Sequence, residues 1–215
     1  PISTHNLMNI MKVKGKDLEI VDTDKYEYIM MYSFPCQDLS LGGKRDGMDV
    51  SQAEGGTRSG LLWEVDRIFD ELVRGGLSLP NVLIMENVPE VIGQANYDNY
   101  AKWELKLTQL GYSNFVRILN ATDYGIPQSR RRCFMISILG DYNYNFPMKL
   151  ELKYKLKDFL EKEVDESFFL TPKMYDYCIG KNQKPSKFPR KERFLQSLKN
   201  TNEKGIATTI TTTAR

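Results

Sequence analysis

The sequence predicts an α/β fold built on an open, mostly parallel sheet, and three observations carry that prediction. Two short, continuously apolar runs, Tyr28-Ile29-Met30-Met31-Tyr32 and Val82-Leu83-Ile84-Met85, have the length of buried strands. Between them Leu61, Val65, Ile68, Phe69 and Leu72 recur at helical spacing, with charged residues filling the other positions. Each apolar run ends on a loop that carries chemistry, Ser33-Phe34-Pro35-Cys36-Gln37 after the first and Glu86-Asn87-Val88-Pro89 after the second. In open α/β sheets the C-terminal ends of the strands are where ligands sit.

The whole chain sets bounds on this reading. Its 215 residues are enough for a domain of ordinary size with a real core. Lys and Arg number 30 against 28 Asp and Glu, but the balance is uneven. Residues 149–204 carry 14 basic and 9 acidic side chains, and residues 1–148 carry 15 and 19. The C-terminal third is therefore the better partner for an anion such as nucleic acid. Three cysteines without paired spacing and a single histidine give no zinc site and no disulfide framework, so the metal set is empty and a reducing, cytoplasmic setting fits. No apolar run has the length of a membrane span, and no signal peptide is visible. A first residue of proline suggests a piece of a longer protein.

In chain order, Met8-Asn9-Ile10-Met11 reads as the close of a short strand and Lys14-Gly15-Lys16-Asp17 as a turn. The strand at Tyr28–Tyr32 is stopped by Pro35, which has no N–H for a ladder. Residues 41–56 hold Gly42, Gly43, Gly47, Gly55 and Gly56 among charges, the composition of an active-site lid. Residues 57–75 form a helix stopped by Gly75-Gly76. Val82–Met85 reads as a central strand covered on both faces, which delivers Glu86 to the same edge as Cys36. Tyr100, Trp103, Leu107 and Leu110 mark a second amphipathic helix ended by Gly111. Residues 114–119 and 133–139 are the last two strands of the sheet, joined by a connection rich in turn residues, 120–132. Beyond Pro147, Leu152, Leu156, Phe159 and Leu160 lie roughly on one helical face, and 168–179 is another candidate helix. Residues 182–199 are basic with Phe188 and Phe194 interleaved, and 207–213 is β-prone.

By itself Cys36 reads as a small buried hydrophobe. Its company alters that reading. Pro35-Cys36-Gln37, Glu86-Asn87-Val88 and Gln128-Ser129-Arg130-Arg131-Arg132, in this order and spacing, resemble the motifs of the DNA (cytosine-5) methyltransferases. The connection Asn120-Ala121-Thr122-Asp123-Tyr124-Gly125-Ile126-Pro127-Gln128 is similar to the same family's loop, and Thr57 to Val65 to its segment entering the helix after the catalytic loop. The resemblance covers about Ser33 to Ile138.

What the resemblance implies is a partial Rossmann-like, S-adenosylmethionine-dependent core over residues 1–148, with a C-terminal antiparallel strand, followed by the start of a small mixed target-recognition region over 149–215. It implies methylation of cytosine C5 in double-stranded DNA, bacterial modification-methylase style, through a covalent bond from Cys36 to C6 of a flipped-out base. Cys36, Glu86, Arg130 and Arg132 are the implied catalytic set. Asn9, Ile10, Pro35 and Leu61 are the implied cofactor contacts, Asn9-Ile10 standing where the family has an Asp-Ile-like pair. Phe34, Gln37, Ser40, Lys44, Arg45, Asn87 and Gln128 are the implied substrate and DNA contacts. The family's glycine-rich cradle for the methionine part of the cofactor and its ribose-binding acid do not occur ahead of Cys36. The alternatives are a non-catalytic nucleic-acid-binding piece and a tRNA cytosine-5 methyltransferase. No membrane and no obligate protein partner are expected.

Overall fold

A computed structural model describes residues 6–35, 58–178, 201 and 204–208 of the chain. They fall into two compact units, Pro1–Leu119 with Arg131–Pro147, and Asn120–Arg130 with Met148–Arg215.

The first unit is an α/β layer. Strand β1 (Ile29–Tyr32) leads to helix α1 (Leu62–Arg74), strand β2 (Val82–Asn87), helix α2 (Tyr97–Gln109) and strand β3 (Tyr112–Asn120). In the second unit β4 (Gln128–Ser129) follows, and β5 (Arg131–Leu139) returns to the first. The main sheet has the order β1-β2-β5-β3. β1 and β2 are parallel in the register Ile29↔Val82 to Tyr32↔Met85, and β2 and β5 are antiparallel from Val82↔Ile138 to Asn87↔Cys133. Gly140 donates its N–H to the Gly111 carbonyl at 2.8 Å, so β5 ends where β3 begins and the two run antiparallel.

The core lies on one face of this sheet. Leu83 and Met85 of β2 and Cys133 and Met135 of β5 pack with Leu62, Val65 and Phe69 of α1 and with Tyr100, Trp103 and Leu107 of α2. Trp103 stands edge-on to Tyr32 and Phe69, and its indole N–H donates to the Tyr32 hydroxyl at 2.8 Å. Lys106 of α2 bridges Asp66 and Asp70 of α1 at the rim.

The expectation that β1 is buried and β2 covered on both faces is corrected here. Ile29 is 63% and Met31 75% exposed, and the face of β2 that carries Val82, Ile84 and Glu86 is only half-buried. Both helices stack on the same side, and β1 stands at the end of the sheet, so one face of an apolar run is left open. The helix at 57–75 is shorter than expected, a 3-10 turn at Arg58–Leu61 followed by α1. Its end follows the expectation: Gly76 takes φ +62°, the Leu77 N–H reaches the Leu72 carbonyl at 2.9 Å and the Gly76 N–H reaches Val73 at 3.1 Å.

The N-terminal stretch is not a strand. Asn9 accepts the Met11 N–H through its side chain and starts a 3-10 turn at Ile10–Lys12 instead. A second 3-10 turn, Gly15–Leu18, rides on α1. Arg67 holds both in place. Its guanidinium donates to the carbonyls of Ile10 (3.1 Å) and Val13 (2.8 Å) while pairing with Glu64 and Glu71. Glu71 in turn accepts the Gly15 N–H at 2.8 Å.

In the second unit, β4 pairs in parallel with β6 (Ala207–Thr208), Gln128 opposite Ala207. Tyr124 bridges to Leu150, and Lys149 pairs with Asp123 at 3.0 Å. The expected helical face from Leu152 to Leu160 is reduced to a 3-10 turn at Leu156–Phe159. Leu160 is 62% and Phe159 61% exposed, so the apolar stripe finds too little to pack against to sustain a helix. The helix expected at 168–179 is α3 (Pro172–Cys178), begun by Pro172 with Thr171 accepting the Met174 N–H. No helix among the described residues is long and apolar enough to cross a membrane.

Candidate active site

The ends of β1, β2 and β5 meet at one edge of the main sheet. β2 ends in Glu86 and Asn87, whose side chains leave on opposite faces by strand alternation. Glu86 is half-buried on the open face, and Asn87 is 2% exposed on the core face. Glu86 stands opposite Phe134 in the antiparallel register, so Arg132 is its diagonal neighbour on the same face. Arg132 closes that gap: its Nε lies 2.9 Å from Glu86 Oε1. The other carboxylate oxygen accepts from Ser33 Oγ at 3.4 Å, and an Arg132 terminal nitrogen donates to the Arg131 carbonyl at 2.7 Å. A carboxyl and a guanidinium, each part-exposed, therefore stand together just past the end of the strand that leads to Cys36.

Asn87 has another environment. Its Nδ2 donates to the Phe34 carbonyl at 3.0 Å, and its Oδ1 accepts the Val88 N–H at 2.8 Å. Phe34 is 5% exposed and belongs to the core cluster. The expected DNA contact by Asn87 is thus corrected, because both ends of its amide are engaged inside the protein and its side chain is sealed from solvent. The Phe34 side chain is likewise sealed in the core, which corrects its expected contact with the substrate.

Beneath the pair, Cys133 is fully buried opposite Asn87. Burial, reinforced by the charge of Glu86, pushes its thiol up to about 11. This cysteine is a packing residue, not a nucleophile.

The remaining expected residues are dispersed. Ile10 and Leu61 are partly buried against the core cluster that includes Phe34. Asn9 spends its carbonyl oxygen on the Met11 N–H. Pro35 is half-buried at the exit of β1. Gln128 lies in β4 of the second unit, and the Arg130 N–H donates to Asn120 Oδ1 at 3.0 Å within that unit. Cys36, Gln37, Ser40, Lys44 and Arg45 lie outside the described residues.

Two residues with a part here had no role in the sequence reading. Ser33 was signalled only by its place one register step past β1. Asn120 was signalled by its place before a turn-rich connection, where an Asn oxygen commonly captures a backbone N–H.

A parallel strand pair with an antiparallel return and both helices on one face is an α/β core, with an acid and an arginine paired at one end of its strands. The chain belongs to the C-5 cytosine-specific DNA methylases, whose family it matches over residues 4–213. It is 41% identical over 161 residues to the type II methyltransferase M2.ScrFI of Lactococcus lactis subsp. cremoris, covering 70% of this chain and 42% of that protein. It is 38% identical over 170 residues to the orphan methyltransferase M.SssI of Spiroplasma monobiae, covering 77% and 42%. The chain thus spans less than half the length of these curated relatives. Among solved structures, the Entamoeba histolytica methyltransferase EhMeth superposes with a TM-score of 0.54 at 19% identity over 77% of this chain and 48% of that one. A Spodoptera frugiperda DNMT2 mutant gives 0.52 at 20% identity over 74% and 46%. These two likenesses establish the fold, that of a methyltransferase α/β core.

Proposed function

We propose that the chain carries the nucleophile-bearing, pyrimidine-binding part of a DNA cytosine-5 methyltransferase, acting in the cytoplasm as a modification methylase. The observation that carries the reading is the Arg132–Glu86 pair at the strand edge. Carbon 5 of cytosine is too poor a nucleophile to take a methyl group unaided. Addition of a thiolate at C6 makes C5 enamine-like, and thiolate is the side chain suited to that attack. Cys36, two residues beyond Phe34, is that thiol. Glu86 holds the N3 and 4-amino edge of the base and stabilises the charge that develops there. Arg132, already oriented by Glu86, meets the O2 edge. Arg130 fixes the site and the nucleic-acid backbone, and Gln128 orients the loop. A water molecule then takes the C5 proton, the C5–H electrons form the C5–C6 double bond, and the C6–S bond breaks to release Cys36 as thiolate and restore the aromatic ring.

S-adenosylmethionine supplies the electrophilic methyl group. Ile10 and Leu61, both partly buried against the core cluster, give apolar surface suited to an adenine, half-buried Pro35 is a further apolar contact, and Asn9 keeps its amide nitrogen to offer after its oxygen is spent on Met11. These residues fit part of the group; the glycine-rich cradle and the ribose-binding acid are not among them.

A base inside a duplex cannot present C6 to a thiol, so the target is extruded, at about a few kcal/mol. Lys44 and Arg45 meet phosphates and fix register without reading sequence. Residues 1–148 form the catalytic part and 149–215 the beginning of target recognition. The test is transfer of a tritiated methyl from S-adenosylmethionine to duplex DNA by the full gene product, with the product base identified by hydrolysis. Label in 5-methylcytosine supports the reading. DNA binding with no label transferred would instead indicate a non-catalytic binding module.

A further inference from the structure

We infer that Asn87 is a positioning residue that sets the exit of the nucleophile-bearing chain from β1, an inference that rests on Cys36 being the attacking group. The register makes the case. β1 and β2 pair with a constant offset, and their backbone ladder stops at Tyr32↔Met85. Continuing that offset places Ser33 beside Glu86 and Phe34 beside Asn87. Both rungs exist, but both are made by side chains. Ser33 Oγ donates to Glu86 Oε2 at 3.4 Å, and Asn87 Nδ2 donates to the Phe34 carbonyl at 3.0 Å.

The reason for side-chain rungs lies in the register. The even residues of β1 bond to β2, as the Val82 N–H donating to the Tyr28 carbonyl at 3.1 Å shows, so the next backbone donor for the Phe34 carbonyl is the Val88 N–H, and that donor is taken by Asn87 Oδ1. Without a substitute, the Phe34 carbonyl would be a buried acceptor with nothing to receive, at a cost of roughly 1–3 kcal/mol. Asn87 is the side chain that meets this need. It is long enough to cross between strands, it carries a donor for the Phe34 carbonyl, and its oxygen takes the Val88 N–H at 2.8 Å. The second bond prevents the amide from turning, because a flipped amide would face the Phe34 carbonyl with oxygen and the Val88 N–H with nitrogen.

The two rungs sit on opposite faces. The outer one touches the carboxyl that Arg132 also holds, and the inner one is sealed in the core. Together they fix Ser33 and Phe34, the residues just ahead of Pro35, relative to Glu86. Nucleophile and base-holding acid are thereby set by two adjacent residues of one strand, Glu86 facing outward and Asn87 inward. Misplacing a reacting atom by a fraction of an ångström weakens attack far more than it weakens binding.

The test uses Asn87→Asp and Asn87→Ser in the full gene product, read on duplex DNA carrying 5-fluorocytosine at the target with S-adenosylmethionine present. Two quantities are measured: DNA affinity, and the rate of covalent adduct formation. Asp has the shape of Asn but donates to a carbonyl only when protonated. For Asn87→Asp we expect an adduct rate about 10- to 100-fold below wild type at pH 8, recovering relative to wild type as pH falls to 6, with DNA affinity within about threefold. Asn87→Ser, too short to reach, is expected to show the same loss and no recovery at low pH. Retained DNA affinity serves as the check that each variant is folded. A wild-type adduct rate in Asn87→Asp at pH 8, or a loss shared equally by rate and affinity and unchanged by pH, would overturn the positioning role alone. Failure of the wild-type protein to form any adduct would overturn the proposed function and this inference with it.

Discussion

Arg132 Nε lies 2.9 Å from Glu86 Oε1, although the two residues are diagonal rather than directly opposite on their antiparallel strands. The reach is possible because an arginine stem spans the diagonal of a pleated pair. The pair is part-exposed, with the arginine side chain 19% and the glutamate 35% accessible. Pairs of this kind add little to stability, typically ~0–1 kcal/mol. Its worth is in orientation, and this separates two measurements. Arg132→Ala is expected to shift the thermal midpoint by no more than a few degrees while lowering the methylation rate at least 100-fold. Arg132→Lys, which keeps the charge but loses the planar fork, is expected to restore less than a tenth of the rate. Parallel losses of stability and rate would show that the pair holds the fold instead.

Gly15 is needed for close approach. A Cβ there would stand 2.9 Å from the Leu72 backbone nitrogen and 3.1 Å from the Ile68 carbonyl oxygen, against helix backbone that cannot give way. Gly15→Ala should lift the Gly15–Leu18 turn from α1 and break the Gly15 N–H bond to Glu71, costing roughly 1–3 kcal/mol. Urea denaturation measures this, and faster proteolysis within residues 10–20 should accompany it. An unchanged midpoint would mean that the turn can be repositioned at no cost.

Cys133 provides the pH dependence. Its thiol is pushed up to about 11 by burial, with Glu86 adding to it. In the unfolded chain it ionises at about 8.5. Because the unfolded state gives up its proton first, the unfolded state binds fewer protons between those values, and stability falls as pH rises through that window. Below the window the contribution is fully present. Its expected size is on the order of 3 kcal/mol. Tyr32, Tyr100 and Tyr112 are also raised by burial and act in the same direction at higher pH. Cys133→Ala therefore should flatten the slope of stability against pH between about 8.5 and 10 without abolishing the fall above it. In the folded protein at pH 8, iodoacetamide should leave Cys133 unlabelled.

Tyr32 and Trp103 share a hydrogen bond at 2.8 Å inside the core. Tyr32→Phe keeps the ring and strands the indole N–H of a side chain with no exposure. The expected cost is about 1–3 kcal/mol. Trp103→Phe alone leaves the Tyr32 hydroxyl unpartnered by the indole, and the double variant should cost less than the sum of the two. Additive losses in that double-mutant cycle would show the bond to be energetically idle.

Much of this was legible in the sequence because short apolar runs and a 3.6-residue repeat leave clear marks. The strand delivering Glu86, the helix after it, the antiparallel return through Cys133 to Leu139 and the glycine stop at Gly75-Gly76 were all readable. Burial was not. An apolar run does not say whether its strand stands inside or at the end of a sheet, so the exposed Ile29 and Met31 could not be foreseen. Nor does a stripe of apolar residues guarantee a helix where nothing covers it, as at Leu152 to Leu160. The residues of the site were found by motif, but the direction of Asn87 depended on strand parity and on the Val88 N–H turning to Asn87 Oδ1. Both became apparent only once the β1–β2 register was known.

Covalent trapping decides whether Cys36 is the attacking group. The full gene product is incubated with S-adenosylmethionine and a DNA duplex carrying 5-fluorocytosine, and the denaturation-resistant complex is digested and mapped by mass spectrometry. One cross-linked peptide, containing Cys36, is expected, and no complex from Cys36→Ser. A complex of equal yield in Cys36→Ser, or a cross-link at any other residue, would contradict that role.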